Sequence, residues 1–112
     1  MVHTNMKDAV LHPKAREIIR SFPEDIKDKL GQAIFDLQKG IKLKMPKSRP
    51  MPSIGMGVEE LRVRGEDGIY RAFYYTKYES AILVFHAFVK KSQRTPPLEI
   101  KLGKKRLSDM LQ

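Results

Sequence analysis

The residues best suited to chemistry in this chain are cations and aromatics that alternate through Val58–Lys91. Arg62, Arg64, Arg71 and the Lys90-Lys91 pair fall within or at the ends of strand-like runs, with Tyr70, Tyr74, Tyr75 and Tyr78 between them. Guanidinium groups match phosphate oxygens bidentately, and tyrosine rings offer faces on which unpaired bases stack. Arginine is an unusual residue for a strand interior, so its recurrence here calls for a function. Glu60 shares a strand face with Arg62 and Arg64, which makes it either a general base or their ion-pair partner. His86 sits in an apolar run, where a satisfied core histidine is the simpler reading and a catalytic one the alternative. Tyr74 is open in the same way, to base stacking or to core packing.

The elements that must position these residues read as an antiparallel meander. Val58–Arg64 alternates, with Val58, Glu60, Arg62 and Arg64 on one side and Glu59, Leu61 and Val63 on the other. Glu66-Asp67-Gly68 is a turn signal, because Asp-Gly supplies the positive φ of a tight hairpin. Ile69–Thr76 follows, and then Ala81–Val89, which is apolar on both faces apart from His86, as in a strand covered on both sides. Strict alternation places Phe73 and Tyr75 beside Arg71. That face is either an aromatic surface for RNA or a patch covered by another element.

Before the meander, Ala9-Val10-Leu11 suits a short strand and Lys14–Arg20 a short helix opened by Pro13. Ser21-Phe22-Pro23-Glu24 has the form of a capping box. Ile26, Leu30, Ala33, Ile34 and Leu37 then make Pro23–Lys39 an amphipathic helix, with Gly40 as its C-cap. Residues 41–57 carry Lys42, Lys44, Lys47, Arg49 and three prolines, Pro46, Pro50 and Pro52, without an acid. Such proline density argues for a basic loop without regular structure. The loop is either an arm that tracks a phosphate backbone or a solvated linker. After the meander, Thr95-Pro96-Pro97 starts a last helix with Ile100, Leu107 and Leu111 on its apolar face. Its lysines either form a solvated face or border a nucleic-acid groove. Residues 1–112 thus predict one α+β domain: a small, mainly antiparallel sheet, a helical hairpin on one face, the other face partly open, and a C-terminal helix.

Composition narrows the function. A chain of 112 residues supports one modest core. It lacks cysteine, which excludes disulfides, thiolate metal sites and a thiol nucleophile. The three histidines show no metal-ligand spacing, and no metal or other cofactor is expected. No apolar run reaches a membrane-spanning length, and Met1 to Met6 read as a loose end without the apolar core of a signal peptide, so a cytoplasmic location is expected. Lys and Arg number 22 against 13 acids, a net charge of +9. That excess implies nucleic acid or an acidic protein as partner.

Glu60-Leu61-Arg62, then IYRAFYY at Ile69–Tyr75, then LVFHAFVKKSQRTP at Leu83–Pro96, together resemble the HigB branch of the RelE-like toxins, phage-derived proteins of bacterial toxin–antitoxin loci. The resemblance implies a RelE-like fold and a metal-independent endoribonuclease that cuts messenger RNA in the ribosomal A site. It also implies a cognate antitoxin, commonly a helix-turn-helix protein that binds operator DNA. In such enzymes the ribose 2′-OH attacks the adjacent phosphate. By the same resemblance Arg71 stabilises phosphate charge, Lys90 and Lys91 take phosphate-binding and acid roles, and Glu60 is the candidate base. Arg62, Arg64, Lys42, Lys44 and Tyr74 would contact RNA. Two other classes remain in play: a non-catalytic nucleic-acid-binding module, and a protein-interaction module with an acidic partner.

Overall fold

The computed structural model describes residues 6–112, so Met1 to Asn5, including His3, lie outside the described residues. The chain runs β1 (Asp8–Leu11), α1 (Pro13–Arg20), α2 (Glu24–Gln38), β2 (Ser48–Pro50), β3 (Val58–Gly65), β4 (Gly68–Tyr75), β5 (Ala81–Lys90) and α3 (Pro97–Leu111). The strands form one sheet in the order β1-β5-β4-β3-β2. Only β1 against β5 is parallel; the other three pairings are antiparallel. Among the described residues no helix is long and apolar enough to cross a membrane.

The alternation of β4 builds two cores at once. Tyr70, Ala72 and Tyr74 face the α1–α2 hairpin and pack with Phe22, Ile26 and Leu30. Phe73 faces the other way and packs with Val58, Phe85, Phe88 and Leu107 of α3. The expected open face is therefore roofed by α3 over Phe73, and Tyr75 packs at the edge of the same cluster. β5 carries a bulge. Phe73 pairs with His86 and Tyr74 with Val84, skipping Phe85, so that Phe85 and His86 both turn toward α3.

The β3–β4 hairpin closes on Gly65 and Gly68, where Gly68 adopts φ +140°. A Cβ there would lie 2.9 Å from the Lys90 carbonyl oxygen, so the glycine serves both the turn and the close approach of β5. α2 ends as expected, with Gly40 at φ +88°.

Three expectations are corrected. Ser21 does not open α2. It is the C-cap of α1, its Oγ donating to the Ile18 carbonyl at 2.5 Å, and Pro23 occupies the N-cap of α2. The helical backbone of Ser21 (φ −81°, ψ −9°) is incompatible with an N-cap, which requires an extended one. The basic loop is not wholly irregular either: Ser48–Pro50 pairs with Leu61, Glu60 and Glu59 of β3. Proline is tolerated there because β2 is the sheet edge and Pro50 its last residue. On α3, Leu111 is exposed, and the buried seam is Glu99, Gly103 and Leu107 at four-residue spacing. Gly103 lies on the ring of Phe73, where a Cβ would come within 2.8 Å.

Candidate functional site

Glu60 is the centre of the cationic face. Its neighbours follow from register: Arg49 of β2 lies opposite Glu60 of β3, and Arg62 of β3 lies opposite Arg71 of β4. The carboxylate is wholly buried. Its Oε1 accepts from Arg49 Nε at 3.0 Å and from Arg62 NH1 at 2.8 Å. Its Oε2 accepts from Thr95 Oγ1 at 2.8 Å, and Arg71 NH1 lies 3.9 Å away. Arg49 NH2 also donates to Thr95 Oγ1 at 2.9 Å, and Arg62 NH2 to Gln93 Oε1 at 3.3 Å. One carboxylate thus orients three guanidinium groups and ties the β5–α3 connection to the edge of the sheet.

Arg71 departs most from expectation. It is fully buried, stacked over the Phe88 ring at 5.6 Å, with NH2 donating to the Ser92 carbonyl. Its Nε and NH1 have no hydrogen-bond partner among the described residues. Burial pushes its guanidinium below the ordinary value; Glu60 opposes this, while Arg62 and Arg49 add to it. Burial of a cation with so few bonds is costly, and the resulting positive field is offset by a single buried carboxylate.

The field opens into a cleft of about 390 Å³ between the turn before β2 and the β5–α3 connection. Lys47, Arg49, Arg62 and Arg64 line it with Gln93, and no acid does among the described residues. Lys90 lies on the same sheet face, because Arg64, Ile69 and Lys90 form one cross-strand row, but it does not line the cleft. Lys90 and Lys91 are both exposed.

Other expected residues lie elsewhere. Tyr74 is only 1% exposed on the hairpin face, which removes it from base stacking. Its hydroxyl lies 2.6 Å from Ser48 Oγ and 3.4 Å from Glu59 Oε1, and burial pushes it up to about 12. Lys42 and Lys44 are exposed, but Lys42 borders a separate cleft beside Tyr74, and neither lines the arginine cleft. His86 is a core residue. Arg106 NH1 donates to its Nδ1 at 2.6 Å, which leaves the Nε2–H to donate to Glu99 Oε1 at 2.8 Å. Burial lowers its pKa first; the bond to Glu99 opposes this, and Arg106 adds to the lowering.

Sequence reasoning missed Thr95 and Gln93 as members of the site and carried Lys47 and Arg49 only as undistinguished members of the basic loop. The signal for Arg49 was present in the lack of any acid near a residue that must pair with Glu60 across strands. Finding it required the register of a three-residue strand.

Residues 17–108 match the family described as Phage derived protein Gp49-like (DUF891). The chain belongs to that family. The Gp49-like family is RelE-like and toxin-related, and the α+β architecture here, with a helical hairpin and a C-terminal helix about a mostly antiparallel sheet, agrees with the fold expected from the resemblance. No curated protein matches the chain. In this Gp49-like chain Glu60, Arg62, Arg71 and the Ser92–Thr95 connection meet on one sheet face.

Proposed function

We propose that this Gp49-like protein is the toxin of a type II toxin–antitoxin pair of the HigB kind, an endoribonuclease acting on messenger RNA in the cytoplasm. The observation that carries the reading is the acid-free cleft of Lys47, Arg49, Arg62 and Arg64, backed by the buried Arg71. In-line attack of a ribose 2′-oxygen forms the 2′-O–P bond and breaks the P–O5′ bond, leaving a 2′,3′-cyclic phosphate. The 2′-OH proton passes to solvent water as the 2′-O–P bond forms, and the leaving 5′-oxygen gains a proton from Lys90, which solvent then reprotonates. Negative charge grows on the non-bridging oxygens in the transition state, and fixed guanidinium groups stabilise it without reorganisation.

The geometry supports the following roles. Arg49 and Arg62 face the cleft and hold the phosphate; Arg64 and Lys47 guide the flanking backbone. Lys90, at the end of β5 with Lys91 beside it, supplies the proton to the leaving oxygen. Arg71 acts from beneath as fixed charge. Glu60, whose oxygens already face Arg49, Arg62, Thr95 and Arg71, is a positioning residue in this reading and not the base. The chain's own contribution in this reading is charge stabilisation, orientation and a proton for the leaving oxygen, consistent with cutting in the ribosomal A site. Neutralisation by a cognate antitoxin completes the proposal.

The occupied Glu60 carboxylate also favours a second reading, a nucleic-acid-binding module without turnover. Inducible expression of wild type and Arg62→Ala in a bacterium, with mapping of messenger RNA 5′ ends, separates the two. In-frame cuts with wild type, reduced about a hundredfold in the folded variant, support the toxin. Soluble wild type that binds RNA but yields no cyclic-phosphate ends supports the binding module.

A further inference from the structure

At the end of the sheet away from the arginines, β1 is an edge strand. Asp8 and His12 give their N–H groups to the carbonyls of Ser80 and Val84, at 3.2 and 2.9 Å. By the two-residue period of a strand, Ala9 and Leu11 turn their N–H and C=O groups away from β5. β1 stands last in the sheet order, so no strand of the described residues takes these groups up. The side chains alternate too. Ala9 and Leu11 are half-buried, and Leu11 packs on the hairpin core. Val10 is 43% exposed, and His12 reaches Asp109 of α3 on the opposite face. Beside Leu11 lies a cleft of about 510 Å³, walled by Pro13, Arg16, Glu17 and Arg20 of α1.

We infer that this edge pairs with the same edge of a second copy of this chain, antiparallel about a two-fold axis at Val10. Two outward-facing residues flank one central residue, so the edge is self-complementary. Ala9 of one copy exchanges both backbone bonds with Leu11 of the other, and Leu11 does the same with Ala9. A register two residues away would pair only one residue of each edge. The side chains fit the same register. Small Ala9 faces large Leu11 on the hairpin side. On the α3 side the two exposed Val10 side chains meet in a non-hydrogen-bonded pair, where strands approach most closely. The α1 cleft carries both signs, Glu17 with Arg16 and Arg20, so the two-fold axis brings acids and bases together despite the net charge of +9. Pairing also blunts an exposed edge. The result is one continuous sheet of five strands from each copy, with the arginine clefts at its far ends. RNA access is kept in both copies, and the pairing does not depend on the ribonuclease reading.

The test is sedimentation velocity and amide hydrogen exchange of the full chain from about 10 µM to about 1 mM, the range of weak association. Sedimentation should move from monomer toward dimer as concentration rises. Over the same range, exchange of the Ala9 and Leu11 amides should slow about tenfold or more. Ala9→Pro removes an outward donor without touching the β5 ladder and should leave the protein monomeric. Val10→Lys keeps every backbone group, sets like charges at the axis on an exposed position, and should do the same. A wild type that stays monomeric at the highest concentration, or a dimer that persists in Val10→Lys, would overturn the inference. So would protection of Ala9 and Leu11 that does not vary with concentration, which would assign the edge to the chain's own first residues. None of these readouts involves RNA, so the toxin reading stands or falls separately, on mapped 5′ ends.

Discussion

At Glu60 the distinction between a base and a positioning carboxylate becomes measurable. A base must present a free lone pair to the ribose hydroxyl, but three hydrogen bonds and the Arg71 charge surround this carboxylate. Glu60→Gln keeps the shape and one acceptor oxygen while removing the negative charge. In single-turnover cleavage it should lower the rate about tenfold, in line with the loss of part of one charge-assisted network, without changing the shape of the pH–rate profile. Loss of an acidic limb in that profile would return the base role to Glu60. Truncation is a different experiment. Glu60→Ala strips three buried or half-buried arginines of their shared anion and should cost about 3–5 kcal/mol in urea unfolding, as expected when one partner of a buried pair is removed.

At the scale of elements, α3 decides what the sheet can offer, and its packing face was less legible than its extent. The hairpin helices and the meander were readable because apolar spacing of three and four, or of two, is a direct imprint of burial. α3 docks instead through Glu99, Gly103 and Leu107, of which two are residues that pattern reading treats as surface or as helix-weakening. Their reason is a particular contact. Glu99 and Arg106 clamp His86, and Gly103 lets the helix lie on Phe73. Gly103→Ala should gain about 1 kcal/mol of helix propensity and lose about 1–3 kcal/mol to overpacking against an unyielding ring. A net destabilisation in thermal melts is expected; a more stable variant would show that the ring moves aside. The clamp is also sensitive to pH. With the folded pKa of His86 below its ordinary 6.5, the unfolded chain binds the extra proton first. Stability should thus be level above about pH 6.5 and fall as pH drops through that value, by up to about 1.4 kcal/mol per unit. In His86→Gln that slope should vanish between about pH 5 and 6.5, where equilibrium unfolding at several pH values can compare the two proteins.

For the molecule as a whole, the net charge of +9 raises the expectation of an anionic partner but does not say where it would sit. Charge counting treats Lys42, Lys44, Lys47 and Arg49 as equivalent members of one basic loop. The fold separates them: β2 carries Arg49 to Glu60, the preceding turn leaves Lys47 on the cleft, and Lys42 and Lys44 stay off it. The strand arginines do cluster about Glu60, but the depth of Arg71 and Tyr74 depends on α3 and the hairpin covering opposite faces of β4. These placements predict how RNA binding responds to salt. Each phosphate contact on a single strand releases condensed counterions and contributes about −0.7 to the slope of log K against log salt. Long-range attraction to the net charge shifts affinity but falls off within a Debye length of about 8 Å at physiological salt. Anisotropy of a labelled single-stranded RNA between about 50 and 200 mM salt should therefore separate the two groups of lysines. Lys47→Ala and Arg64→Ala should each reduce the slope by about 0.7; Lys42→Ala and Lys44→Ala should leave it unchanged and weaken binding only slightly at low salt. Arg49→Ala should change the slope by less than one full contact, since part of its charge is already matched by Glu60. Equal effects at all five positions would mean that RNA follows the net charge and not the cleft, and would remove the geometric basis for assigning the reaction to it.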